Sequence, residues 1–171
     1  MSRSDKQRRD NMCLAMRLMM QDLGEPYERQ LHVTRTTKFA DVHRTTWDEL
    51  AEQNLVKAWT YDRYWLTGPG WIAGLKLTGR FKAPEFQQMV GKLSAALKAR
   101  VKAINRDQWG GAGRAELARE TGLTEFFIQD VIDSHLLREM GDIDASWGKG
   151  DSMKNYIDIP PRFGLEPLDV E

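Results

Sequence analysis

Few side chains in this 171-residue sequence have the types and spacing that catalysis needs. The one cysteine, Cys13, and the three histidines, His32, His43 and His135, form neither a His-Glu-x-x-His motif nor a Cys-paired ligand set. No nucleophile is set beside a base, and no pair of the many carboxylates stands out for acid–base work. Gly110-Gly-Ala-Gly-Arg114 lacks the Lys-Ser/Thr ending of a phosphate loop and reads as a linker. The expectation is a protein that is not an enzyme, with no catalytic residues, no metal and no cofactor. The chemistry that remains is electrostatic. Arg35, Lys38, Arg44 and Thr45 lie on or just before one amphipathic segment, with Lys57 and Arg63 in the hairpin that follows, a set suited to phosphate contacts. Asp41 and Asp48 dilute this patch, and a solvated helix face is the competing reading. A second basic stretch, Lys92, Lys98, Arg100, Lys102, Arg106, Arg114 and Arg119, either meets phosphates or neutralises the acidic residues beyond it or on a partner subunit. The latter is favoured.

These residues need elements to position them. Ser4 and Gln7 form a capping-box signature before Met12, Met16, Met19, Met20 and Leu23, which repeat at helical spacing until Gly24 and Pro26, so a helix is expected over about 5–23 with its methionines in the core. Phe39, Val42, His43, Thr46, Trp47 and Leu50 share one helical face over about 37–53, capped by Thr37, with a shorter helix from Thr46 as the alternative. On that apolar face His43 reads as a core residue. The preceding run 31–37 is a short strand or an irregular helix, and both readings stand. Residues 55–67 read as a hairpin turning at 60–63, whose companions Trp59, Tyr61, Tyr64, Trp65 and Trp71 suit a core or a dimer interface better than base stacking. Gly68-Pro-Gly70 punctuates the chain before a short helix opening at Trp71, and Pro84 starts a long helix that joins two halves. After the glycine run come helices over about 114–121 and 124–134, then a second hairpin over about 142–159 with its turn at Gly148-Lys-Gly150.

Composition sets the outer bounds. One domain or two small ones fit the length, and no run approaches the roughly 20 apolar residues of a membrane span. The single cysteine and a charged start without a secretory core lead to the expectation of a cytoplasmic protein with no membrane partner. Its 25 basic and 25 acidic side chains cancel, which argues against a strongly basic nucleic-acid binder. The zero conceals a pattern: 11 basic and 10 acidic residues in 1–75, 10 and 3 (a difference of +7) in 76–119, and 4 and 12 (a difference of −8) in 120–171.

Ala118, Gly122 and Ile128 stand at the spacing Ala-x3-Gly-x5-Ile: a small residue where helices cross, a residue tolerant of positive φ in the turn, and an apolar wedge with Leu117, Leu123 and Val131. Residues 114–137 thereby resemble the helix-turn-helix of winged-helix DNA-binding domains. Asn54-Leu-Val56 and His135-Leu-Leu137 match the step by which such domains leave the recognition helix for the wing. The first unit departs from the pattern, having no Ala-x3-Gly spacing before Thr37. The resemblance implies a mainly α fold with small β-hairpins (α+β), as tandem winged-helix units at 1–80 and 81–171. It further implies a transcription regulator, expected as a homodimer, that binds double-stranded DNA. By that resemblance Thr124, Gln129 and Lys149 are DNA-contact candidates, with Glu125, Phe126, Gln129, Asp130 and Asp133 as the outward face of 124–134. That face carries three carboxylates and no Lys or Arg, so the reading is assigned mainly to the first unit, and the acidic second unit is expected to meet a protein partner. A winged-helix protein-interaction module that binds no DNA is the alternative.

Overall fold

The structure, a computed structural model, describes residues 3–23, 33–35, 42–60, 63–103 and 110–160; at 3, 22–23, 33–35, 59–60, 63 and 101–103 it describes the backbone alone. It is mainly helical with two small antiparallel sheets, and the chain divides into two compact units, Met1–Ala83 and Pro84–Glu171. The division falls three residues beyond the expected 80/81 boundary, so the helix opening at Pro84 belongs to the second unit rather than joining two halves. Among the described residues no helix is long and apolar enough to cross a membrane.

Unit 1 opens with α1 (Arg3–Leu23), whose expected stripe is buried at Met16, Met19 and Met20. The ambiguous run resolves as a strand, β1 (Val33–Arg35). Helix α2 (Arg44–Glu52) begins well after Thr37, a residue outside the described set, and before the alternative start at Thr46. Its cap is His43, and here the core reading of that residue is corrected: the histidine is exposed, and its Nδ1 accepts from the Thr45 amide at 3.2 Å. An extended backbone brings the ring over the first turn, where an orphan N–H needs an acceptor. Thr46, Trp47 and Leu50 form the buried face, and Trp47 stacks on Tyr64 at 5.5 Å between centroids.

The hairpin forms as expected, β2 (Val56–Thr60) pairing with β3 (Arg63–Leu66), and β1 adds to the far side of β3, giving the order β1-β3-β2. Period-two alternation sends Val56, Tyr64 and Leu66 inward and leaves Trp65 outward at 42% exposure, so the hairpin aromatics do not form one cluster. Helix α3 (Gly68–Leu77) starts earlier than Trp71 because Thr67 caps it, accepting from the Gly70 amide at 3.0 Å, and Pro69 fits its first turn; Gly68-Pro-Gly70 is helix, not punctuation.

Unit 2 shares the strand order of unit 1 but not its helices. Helix α4 (Pro84–Ala103) buries Phe86, Val90, Leu93 and Leu97, and Phe86 meets Phe127 edge-on at 6.0 Å. The glycine run read as a linker is a strand, β4 (Gly110–Gly113), paired with β6 (Tyr156–Ile159) from Gly110↔Ile159 to Gly113↔Tyr156. Glycine at 111 lets the Tyr156 ring lie over the strand, where a Cβ would displace it. Helices α5 (Arg114–Thr121) and α6 (Glu125–Asp133) follow, joined at Gly122 with φ 73° and capped at Thr124. Leu117, Leu123, Ile128 and Val131 are buried between them as the spacing demanded. His135-Leu-Leu137 does not step straight into the wing: α7 (Leu136–Glu139) adds a turn of helix first. A two-residue β5 (Ser146–Trp147) then pairs with β6, giving the order β4-β6-β5. In both units the last strand is central, and a left-handed residue stands two positions past the end of a helix, Asn54 (φ 59°) after α2 and His135 (φ 54°) after α6.

Candidate nucleic-acid interface

Unit 1 gathers its candidates on two adjacent elements. Arg44 and Thr45 are exposed in the first turn of α2, where the positive end of the helix dipole adds to the arginine charge. Two of the three carboxylates of the same helix have partners in unit 1: Asp48, itself exposed, accepts from the Tyr64 hydroxyl at 3.4 Å, and Glu49 sits 3.8 Å from Arg8, while Glu52 is exposed at the far end of the helix. Burial, with Asp48 beside it, pushes the Tyr64 phenol up, so it stays a proton donor at neutral pH. Lys57 is exposed on β2, directly across from Trp65, while Arg35 and Arg63 are register partners one step along the same sheet, two positions from Val33 and Trp65. Lys38 lies outside the described residues. Arg44, Thr45, Lys57, Arg35 and Arg63 are thus carried by α2 and the sheet that follows it, with Trp65 an exposed apolar group among the strand positions.

In unit 2 the arrangement differs from the expected outward face. Glu125 and Phe126 are exposed, Asp133 is half-buried, but Gln129 and Asp130 are buried at 6% and 1% exposure, because α6 packs on both flanks and leaves only its first turn open. Gln129 is also occupied: its Oε1 accepts from Arg114 Nη1 at 2.7 Å. Arg114 reaches Glu125 at 3.3 Å and lies over the Trp147 ring at 6.0 Å. Trp147 donates its indole N–H to Asp133 at 2.7 Å, and Lys154 meets the same carboxylate at 3.1 Å. The β5–β6 hairpin is therefore clamped to α6, and the Gln129 and Asp133 positions of that helix are paired from within. Thr124 spends its hydroxyl oxygen on the Phe127 amide at 3.1 Å, and Lys149 is exposed at the wing turn.

The wing turn has its own lock. The amides of Tyr156, Asn155 and Met153 donate to Asp151 at 2.7, 2.8 and 3.2 Å and hold its carboxyl below the usual carboxylate range. Part of the basic stretch of α4 and α5 serves internal acids, the Lys102 side chain and Arg106 lying outside the described set. Lys98 meets Asp142 at 2.6 Å, and Arg100 bridges Glu116 at 2.8 Å and also pairs with Glu120. With Arg114 this accounts for three of the seven basic residues, Lys92 and Arg119 being exposed. The clamp of Trp147, Asp133 and Lys154 was not read from the sequence. Its signal was a tryptophan beside a glycine turn, a side chain that needs an acceptor when half-buried.

Among the described residues no three His, Cys, Asp or Glu side chains converge as metal ligands do. Comparison with protein-family models, with curated protein sequences and with solved structures finds no match.

Proposed function

We propose that this protein is a DNA-binding transcription regulator built of two winged-helix units, cytoplasmic and homodimeric, that engages duplex DNA through unit 1. The observation that carries the reading is the plan the two units share among the described residues: a helix, an edge strand, an intervening helical segment (α2 in unit 1; α5, α6 and α7 in unit 2), then two strands of which the last is central, in orders β1-β3-β2 and β4-β6-β5. In domains of that plan the helix before the hairpin enters the major groove and the hairpin meets the backbone. In unit 1 that helix is α2, which offers Arg44 and Thr45 at its N-terminus while its carboxylates Asp48 and Glu49 face Tyr64 and Arg8. Lys57 and the paired positions Arg35 and Arg63 supply phosphate contacts from the sheet.

A second reading, protein interaction without DNA, is favoured for unit 2 by one observation. The polar groups of α6 that would face a groove are buried or already paired, while Phe126 and the wing residue Met153, at 72% exposure, stand open. The DNA reading is tested by electrophoretic mobility with random duplex over a salt series. A shift that fades by orders of magnitude between roughly 50 and 200 mM salt is expected from phosphate contacts. Absence of any shift at low salt overturns the DNA reading. Light scattering tests the homodimer, and a monomeric mass at working concentration refutes it.

A further inference from the structure

Unit 1 contains a groove of about 430 Å³ between α1, the C-terminal end of α2 and α3 that none of the DNA-facing residues line. Its walls are mostly apolar, with Met12 and Met16 from α1, Leu50 and Leu55 at the end of α2 and beyond, and Ala73 and Leu77 from α3, and with one amide among them, Gln53, which donates to Met12 Sδ at 3.5 Å. The volume lies in the range of small-molecule sites, and methionine walls adapt to the shape of what enters. The rim is cationic. Arg8 and Arg9 stand on the same side of α1, and Asp5, one turn earlier, is the lone carboxylate of the lining. Arg8 has a long contact of 3.8 Å to Glu49, and Arg9 has no ion-pair partner among the described residues. A guanidinium pair at the mouth of an apolar slot is complementary to a small planar anion on an apolar body, which the arginines bind through paired N–H donors.

We infer that this groove binds an amphiphilic monocarboxylate, a fatty-acid-like molecule with a body of roughly ten to fourteen carbons, its head group at Arg8 and Arg9 and its chain against Leu50, Leu55 and Leu77. The bulky polar surface of a nucleotide or sugar phosphate would meet apolar walls here and lose hydrogen bonds to water without replacement. The inference does not rest on the DNA reading, since the groove and its charges are present whatever α2 contacts.

Cys13 is half-buried in the groove wall and is the only cysteine of the 171 residues, so the unaltered chain carries its own reporter. The test measures the rate of Cys13 alkylation by N-ethylmaleimide with dodecanoate, dodecanol or dodecylammonium, each below its micelle concentration, alongside titration calorimetry of dodecanoate. Dodecanoate is expected to slow alkylation by about fivefold or more at saturation and to bind once per chain, with the alcohol and the ammonium slowing it less than about twofold. The variant Arg8→Gln with Arg9→Gln, changed only at exposed positions of α1, should lose the dodecanoate effect, each protein's protection being read against its own ligand-free alkylation rate. Ala73→Trp, which fills the slot, should lose it as well. Equal protection by dodecylammonium or dodecanol overturns the carboxylate assignment, as does protection that persists in the double-glutamine variant. Unchanged alkylation together with no calorimetric binding overturns the site itself.

Discussion

Gly70→Ala adds a single methyl group and is expected to destabilise unit 1 severely. The new Cβ would stand 2.8 Å from the Leu55 carbonyl carbon and 3.0 Å from Leu66 Cδ1, with the Leu55 oxygen closer still. That oxygen is backbone and already accepts from the Thr67 amide at 3.1 Å. Thr67 in turn accepts from the Gly70 amide at 3.0 Å and donates to the Asn54 carbonyl at 2.6 Å, so the start of α3 and the left-handed exit from α2 form one joint. Relieving the clash means moving that joint. It costs about 1 kcal/mol for the cap, about 1 for the Thr67–Leu55 hydrogen bond and about 1–3 for displaced packing, or about 3–5 kcal/mol together. A unit of 83 residues has a total stability of about 4–12 kcal/mol. The assay is urea unfolding followed by tryptophan fluorescence, since Trp47, Trp59, Trp65 and Trp71 lie in unit 1, with amide exchange of α6 reporting unit 2. The fluorescence midpoint should fall by about 2–4 M while the α6 amides keep their protection. Gly91→Ala, with nothing within 4 Å of its added Cβ, is the control and should stabilise α4 by roughly 0.5–1 kcal/mol. A Gly70→Ala midpoint within about 0.3 M of wild type would refute the joint and the placement of α3 that creates it.

Three further outcomes follow from unit 2 and from the proposed interface. Asp133→Ala removes the acceptor of the Trp147 indole and the partner of Lys154, and should cost about 2–3 kcal/mol in unit 2 and shift Trp147 emission toward that of a solvated ring; unchanged urea unfolding and emission would contradict the clamp. Burial works against the charge of Asp142, but Lys98 and the Ser94 hydroxyl at 2.6 Å outweigh it and hold its carboxyl below the usual range. A depressed folded-state pKa stabilises above the unfolded value and is lost as pH falls through the folded one. Unit 2 should therefore weaken as pH drops below about 4, and Asp142→Asn should be about 1 kcal/mol less stable at pH 7 with a flatter acid limb in thermal unfolding. An equally steep limb in the variant would count against this pair. Reversal of Arg44 and Lys57 together should weaken duplex binding about a hundredfold or more and make the salt dependence shallower, measured by fluorescence anisotropy.

Elements driven by periodicity were legible in the sequence. The α1 methionine stripe, the Ala118, Gly122 and Ile128 wedge and the first hairpin all rest on patterns that packing enforces, and they stand where the spacing put them. What escaped depended on partners distant in sequence. Gly110–Gly113 has no strand propensity, and only the Tyr156 ring above Gly111 makes glycine the right residue for an edge strand. His43 has helical spacing with Trp47 and Leu50, yet one residue outside the helix it becomes a cap rather than core. Gln129 and Asp130 read as outward because polar residues usually are, but α6 is packed on both flanks, and Arg114 brings a charge to Gln129 from 15 residues away. The charge segmentation was informative in a different way. It marked 76–119 as a source of cations, and Lys98, Arg100 and Arg114 do pair with Asp142, Glu116, Glu120 and Glu125. Unit 1, residues 1–83, carries 14 basic and 10 acidic side chains, and Arg44 and Lys57 are exposed among them.

The most direct measurement compares duplex affinity across both units in one anisotropy series at low salt: wild type, Arg44→Glu with Lys57→Glu, and Lys149→Glu at the second wing. Engagement through unit 1 requires that the first variant lose about a hundredfold or more and that Lys149→Glu lose less than about threefold. Loss confined to Lys149→Glu, or duplex binding that is absent in the wild type, would contradict it.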